Sequence, residues 1–396
     1  MEIKREIIKK LHDDLGEKYI TILIGARQVG KTFLLKKIAK YAKGKGLRVA
    51  FFDLEQPQVL NQFNLQDSEI VKLVAGSGEV VFIDEFHYLK NASHILKAIY
   101  DSGEKIKIFA SGSSSLEIHK HLKESLAGRK FIYRIYPCSF AEISQVIKHE
   151  TWDYYYRYGG LPGLINVESE EKKKLLLLDI LQSYILKDIK SLIREENIRA
   201  FFNLLYLLAQ YQGSVISTAS LAGEVGLTAK TIESYLEILS QTYVNFPLHS
   251  FSLNYGNELK KSKKYYLYDL GIRNTLLKNF SSLSQRKDAG AIIESFVFLE
   301  LYRKQTPETE LRFWRLKDGT EVDFILVVNQ KPFPIEVKTR IRENEVPKGL
   351  KAFINRYPDT KRAFVMNKEN TGEARYNDTV IYYIKWTDAA SIPSLI

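Results

Sequence analysis

At 396 residues the chain is too long for one ordinary hydrophobic core, and several domains are expected. Its 45% apolar and 27% charged residues describe a soluble globular protein; the longest apolar stretch, FFNLLYLLAQY from Phe201, is too short to span a bilayer, and the single cysteine, Cys138, excludes an internal disulfide and suits a reducing compartment. A net charge of +11 and a pI near 9.2 favour a polyanionic partner and say nothing about fold.

The opening segment, MEIKREIIKKLHDDLG, is charged throughout and has no signal-type apolar stretch, so a cytoplasmic protein is expected. YITILIG then reads as a buried strand running into a glycine loop, and TFLLKKIAKYAKG has helical spacing closed by glycine. Further strand-like runs, RVAFFDL, EVVFIDE, KIKIFASG and KFIYRIY, alternate with helical ones such as ASHILKAIYDSG, which predicts a parallel α/β core over residues 1–148. YYYRYGGLPGLI breaks the pattern and leads into an apolar helical segment, a helical lid over 149–199. From Ile216 to Leu239 two apolar stripes flank Gly226 in a helix-turn-helix pattern; with YVNFPLHSF and KKYYLYDL as wing strands this predicts a winged helix over 200–270, a module used both to bind DNA and simply to pack. Residues 271–396 form one long helix and then a hairpin-rich segment. Two basic runs accompany it: ELKKSKK from Glu258, and Lys331 to Arg362, where nine Lys or Arg face four Asp or Glu.

The sharpest motif is GARQVGKT: Gly25, Ala26, Arg27, Gln28, Val29, Gly30, Lys31 and Thr32 match G-x-x-x-x-G-K-[ST] between a predicted strand and a predicted helix. The glycines let backbone N–H groups turn towards phosphates at a helix N-terminus, Lys31 reaches the β/γ oxygens of ATP, and Thr32 supplies a Mg²⁺ ligand. VVFIDE adds Asp84 at a strand end, to hold Mg²⁺ through water, and Glu85, to orient and deprotonate the attacking water. FASGSSS places Ser111, Ser113 and Ser114 at the next strand end, where either a γ-phosphate sensor or a helix cap would sit. Arg129 in LAGR, just ahead of another strand, suits an arginine finger acting across a subunit boundary, which implies a homo-oligomer such as a ring. His119 and His121, two apart on a helix, point away from each other and read as solvated.

GARQVGKT, FIDE, SGSSS, LAGR, YPCSFAE and YGGLP together resemble the AAA+-like P-loop ATPases of archaea and bacteria, and within them the subgroup carrying a C-terminal restriction-endonuclease-like domain. The resemblance spans the chain almost end to end. It implies ATP and Mg²⁺ as ligands and places the Gly-Pro motif, Gly160 and Pro162, near the adenine.

LRFWRLKDGTEVDFILVVNQKPFPIEVKTR predicts three antiparallel strands joined by tight turns at Asp318-Gly319 and at Asn329. Glu336 and Lys338 share one face by strand alternation, and Glu294 lies on the apolar side of the preceding helix, a costly place for a carboxylate without a cation. Helix-Glu, strand-Asp and Glu-x-Lys resemble the PD-(D/E)XK nuclease fold; that resemblance implies that Asp323 and Glu336 bind Mg²⁺ or Mn²⁺, that Glu294 assists, and that Lys338 positions a water. No proline precedes Asp323, which departs from that pattern. A salt-bridged strand pair would also explain the residues. The expected function is a Mg²⁺-dependent ATPase acting on duplex or branched DNA in recombination, repair or defence, with a tail that cuts DNA. The alternatives are an ATP-gated DNA-binding regulator with an inactive tail, or an ATPase with a protein or RNA partner.

Overall fold

The computed structural model describes residues 2–113, 126–184, 193, 197–252 and 263–396; Ser114, His119, His121 and most of the ELKKSKK run lie outside them. Two compact units form: Met1–Val146 with Leu161–Leu192 and Glu237–Val244, and Ile147–Gly160 with Ile193–Leu236 and Asn245–Ile396. Among the described residues no helix is long and apolar enough to cross a membrane.

The first unit opens with α1 (Ile8–Asp13), β1 (Ile20–Gly25), α2 (Lys31–Gly44), β2 (Val49–Asp53), α3 (Pro57–Gln62), α4 (Asp67–Ser77), β3 (Val80–Asp84), α5 (Ala92–Asp101), β4 (Lys107–Ser113), β5 (Lys130–Arg134) and α6 (Phe140–Ser144). The five strands make a parallel sheet in the order β2-β3-β4-β1-β5. Every residue of β1 and β3 is buried, which is why these strands read as unbroken apolar runs and not as alternating ones. Parallel registration, Gly25 against Ser113 and Asp53 against Asp84, brings the C-terminal strand ends to one edge.

The second unit contains α7 (Thr151–Tyr158) and, after α8 (Glu170–Tyr184) of the first unit, α9 (Ile198–Gln210), β6 (Val215–Ile216), α10 (Thr218–Val225), α11 (Ala229–Gln241, whose last turn belongs to the first unit), β7 (Asn245–Leu248) and β8 (Lys263–Leu267). Strands β6, β8 and β7 form an antiparallel sheet in that order. The unit continues with α12 (Leu270–Leu277), α13 (Ala289–Arg303), β9 (Thr309–Arg315), β10 (Glu321–Val328), β11 (Lys331–Val337), α14 (Lys348–Arg356), β12 (Arg362–Asn367), β13 (Gly372–Tyr376) and β14 (Thr379–Lys385). A mixed six-stranded sheet, β13-β14-β12-β11-β10-β9, holds the predicted triple hairpin, with β12 and β14 added in parallel. Asn329 and Gln330 both take positive φ (48° and 65°), the primed turn a two-residue hairpin needs. One face of the sheet packs Trp314, Val322 and Ile325 against Leu350, Phe353 and Ile354 of α14.

The expected lid over 149–199 is corrected: the chain divides within it. Residues 147–160 join the second unit because α7 packs on α12, where Asn274 Nδ2 donates to the carbonyls of Tyr156 (2.7 Å) and Arg157 (2.9 Å). Residues 161–192 join the first unit.

Candidate functional site

The glycine loop leaves β1 and enters α2 through Gln28 (φ 59°) and Gly30 (φ 96°), so the first-turn N–H groups of α2 face the loop. Lys31 is buried, and its Nζ donates to the carbonyls of Gly25 (3.1 Å) and Ala26 (3.0 Å). Next to it, the Thr32 hydroxyl hydrogen-bonds Asp84 at the end of β3. Ser111 of β4 donates its hydroxyl to Asp84 Oδ1 and accepts the Glu85 N–H at 3.3 Å. Burial pushes the Asp84 carboxyl up, and the Ser111 and Thr32 hydroxyls oppose that shift. A buried carboxylate bridged to a hydroxyl at the head of a phosphate-binding helix fits Mg²⁺ bound through Thr32 and Asp84. Glu85 adopts φ 52°, and its Oε2 lies 3.1 Å from His87 Nδ1. Sequence reasoning missed His87 in this role, although it stands only two residues beyond Glu85.

Beside Gly30 lies a cavity of about 330 Å³ lined by Ile3, Arg5, Phe33, Pro162 and Asn166. Pro162, expected near the adenine, lines this cavity beside the loop. Gly160, expected there too, belongs to the second unit, where its N–H donates to Asp269 Oδ2 (2.8 Å) and Asp269 also caps α12 by accepting the Ile272 N–H. Ser113 closes β4. Arg129 precedes β5 at the end of the strand away from the loop, paired with Asp101 at 2.8 and 3.1 Å. There it faces no phosphate site of its own chain.

In the second unit Glu294 of α13, Asp323 of β10, and Glu336 and Lys338 at the end of β11 come together, as the hairpin pattern predicts. Lys338 Nζ donates to Glu336 Oε1 (2.6 Å), and the Val337 N–H donates to Asp323 Oδ2 (2.8 Å). A register shift between Val322 and Ile325 puts one extra residue in β10 at this point, which re-aims Asp323. Gly349 of α14 approaches so closely that a Cβ there would lie 1.9 Å from the Glu321 carbonyl oxygen and 3.4 Å from Glu336 Oε2.

Two members of this cluster were not foreseen. The Tyr266 hydroxyl donates to Glu294 Oε1 at 2.6 Å, and the wholly buried Lys264 ammonium donates to the same oxygen at 3.1 Å. Lys264 Nζ also lies 3.7 Å from Glu321 and 3.9 Å from Asp323. Burial opposes the Lys264 charge, but Glu294, Asp323 and Glu321 outweigh it and hold the lysine protonated. Burial pushes the carboxyls of Glu294 and Glu336 up, in both cases reinforced by Asp323. Lys338 is one cation of the cluster, Lys264 a second, and Arg315, 3.3 Å from Glu321, a third. Of the expected ligand trio of Glu294, Asp323 and Glu336, Glu294 is held by Lys264 and Tyr266, Asp323 by the Val337 N–H, and Glu336 by Lys338. Among the described residues no three Asp, Glu, His or Cys side chains gather as metal ligands would.

Residues 17–144 match the family model of an AAA domain, residues 149–283 match a domain of unknown function (DUF8612), and residues 289–387 match a second (DUF4143). An uncharacterized protein of Methanocaldococcus jannaschii is 28% identical over 382 residues, covering 91% of this chain and 82% of the relative. An uncharacterized protein of Mycobacterium tuberculosis is 24% identical over 338 residues, covering 85% and 74%. Among solved structures, AMPPCP-bound DnaA from Aquifex aeolicus aligns with a TM-score of 0.33 at 16% identity, over 60% of this chain and 86% of that one. The DNA clamp loader delta protein of Bacillus subtilis aligns at 0.26 and 14%, over 75% and 100%. The loop, the strand-end acids and the five-stranded parallel sheet agree with the AAA-domain match to residues 17–144.

Proposed function

We propose that the protein is a Mg²⁺-dependent ATPase that acts on DNA. The observation that carries the ATPase half is the junction of Thr32, Asp84 and Ser111, with Glu85 beside it: neighbouring strand ends present a nucleotide-metal site and a base for water. Bound MgATP supplies the reacting phosphoryl group. Lys31 and the loop N–H groups hold its phosphates, and Glu85, steadied by His87, takes the proton of the attacking water. Arg129 acts on the nucleotide of a neighbouring copy, which makes a homo-oligomer part of this reading.

The DNA half rests on charge. Beyond β11, Arg340, Arg342, Lys348, Lys351 and Arg356 are all exposed, on the loop and on α14 beside Lys338. The order α9, β6, α10, α11, β7, β8 supports a winged helix, but the exposed positions of α11 include Glu233 and Glu237 against Lys230. That face repels phosphate, so we assign the module to packing and the DNA contact to the basic face around α14. The order α13, three antiparallel strands, α14 and a parallel strand supports a restriction-endonuclease-like fold for the tail. Cleavage of DNA is the second reading, favoured by Glu336 Oε2, which is buried without a hydrogen-bond partner.

ATP turnover measured with Mg²⁺ and with single-stranded, duplex or branched DNA, RNA or no nucleic acid tests the proposal. Lys31→Ala should lose nucleotide binding, and Glu85→Gln should keep it and lose most turnover. Wild-type turnover by Glu85→Gln overturns the base assignment. A rate indifferent to DNA at low salt removes the DNA half, and stimulation by RNA alone moves the reading to an RNA partner.

A further inference from the structure

The acidic cluster of the second unit is arranged around a lysine. Lys264 of β8 is wholly buried, yet its ammonium lies within ion-pair distance of three carboxylates from two separate elements, Glu294 on α13 and Glu321 and Asp323 at the start of β10. A buried ammonium survives only where such partners surround it. We propose that Lys264 is a built-in counter-cation that stands in for a divalent ion, so that the folded tail binds neither Mg²⁺ nor Mn²⁺ at this cluster.

Geometry and charge argue the same way. A divalent ion needs carboxylate oxygens at roughly 2.0–2.6 Å, and Lys264 Nζ already stands 3.1 Å from Glu294 Oε1 and 3.9 Å from Asp323 Oδ1. That oxygen of Glu294 is shared by the ammonium and the Tyr266 hydroxyl. Backbone closes the same carboxylate from another side, since a Cβ at Gly213 (φ 82°) would stand 3.0 Å from Glu294 Oε1. Four carboxylates, Glu294, Glu321, Asp323 and Glu336, face three cations, Lys264, Arg315 and Lys338. One negative charge remains, and a doubly charged ion would overshoot it. The tail then works as a nucleic-acid platform, and the second reading above loses its metal. This inference is separate from the ATPase reading and does not depend on it.

The test uses the full chain without nucleotide, carrying Asp84→Asn so that the P-loop site loses its metal-binding carboxylate. Mn²⁺ is titrated by calorimetry and by the paramagnetic resonance of the free ion. No saturable binding is expected. Saturable binding that Asp323→Asn abolishes overturns the proposal. Adding Lys264→Met removes the internal cation, and the melting temperature of that variant is expected to rise with Mn²⁺ while the parent's does not move. A folded Lys264→Met protein indifferent to Mn²⁺ overturns the role given to Lys264; if that variant does not fold, the parental titration decides.

Discussion

Replacing Arg5 by Met tests how the N-terminal segment holds the nucleotide loop. Arg5 is 8% exposed and ties three points of the first unit together: Nη1 donates to the Val29 carbonyl at 2.8 Å, Nη2 to the Tyr136 carbonyl at 2.7 Å, and Nε lies 3.0 Å from Glu142 Oε2. The last is a contact of charges without hydrogen-bond alignment. Breaking a buried ion pair costs about 3–5 kcal/mol because one charge is left uncompensated. Glu142 keeps the N–H groups of Glu6 and Ser139 as donors, so the lower end applies, ~3 kcal/mol. The Val29–Gly30 peptide also loses the anchor that aims its N–H. If one charge-assisted bond to phosphate weakens, the loss is ~1.5 kcal/mol, or about tenfold in Kd. Urea unfolding followed by circular dichroism reads the first effect, and titration with a fluorescent ATP analogue reads the second. Arg5→Lys, which keeps the charge but cannot span three acceptors, should fall between. An Arg5→Met protein with the parental midpoint and parental nucleotide affinity refutes the reasoning.

Burial holds the His249 imidazole down at about 4, helped by Lys263 and Arg312, so the folded state resists a proton that the unfolded chain accepts. Stability from this group is therefore full above pH ~6.5 and is lost as pH falls towards 4, and His249→Gln should flatten the pH–stability profile in that window. Gly349→Ala drives a methyl into the Glu321 carbonyl, and a loss of about 2 kcal/mol or more is expected in the second unit, read by denaturant unfolding. A fragment of residues 271–396 lacks Lys264 and Tyr266 and leaves Glu294 uncompensated, so it should give no cooperative melt, whereas a fragment from residue 147 onward should. DNA binding should weaken steeply between low and physiological salt, and charge reversal at Arg342 and Lys351 should reduce that slope, as filter binding over a salt series would show.

Where the chemistry is local in the chain, the sequence was enough. GARQVGKT and FIDE each put the needed atoms at consecutive positions, and a fully buried strand leads into each, so strand ends, helix start and acid pair could all be placed. The hairpin was equally legible, because two-residue turns and strand alternation fix which side chains share a face. The rest depends on distant partners. Gly160 and Pro162 are two residues apart but belong to different units, and only the α7–α12 packing decides that. The bulge that re-aims Asp323 has no signal in residue type. Lys264 was hidden by its company, since a lysine between Lys263 and a Tyr-Tyr pair reads as part of a basic run. Period-two alternation was the signal that could have found it: Lys264 and Tyr266 share one face of a strand whose last four residues are all buried.

That placement changes what the two domains of unknown function are to each other. The boundary expected at residue 270 separates the cation and hydroxyl of β8, Lys264 and Tyr266, from the carboxylates they serve on α13 and β10. No carboxylate cluster of this size is tolerable inside a protein by itself, and no buried lysine is either; each half is stable only as the other's partner. The wing strand and the hairpin domain are therefore one folding unit, and the pairing is electrostatic as well as apolar, since Tyr266 stacks on Phe298 (3.9 Å between ring centres) while its hydroxyl satisfies Glu294. A strand spent on completing a neighbour's core has little freedom to move apart from it, and the acidic Glu233 and Glu237 exposed on α11 leave the basic residues beside Lys338 as the surface on which the proposed DNA contact rests.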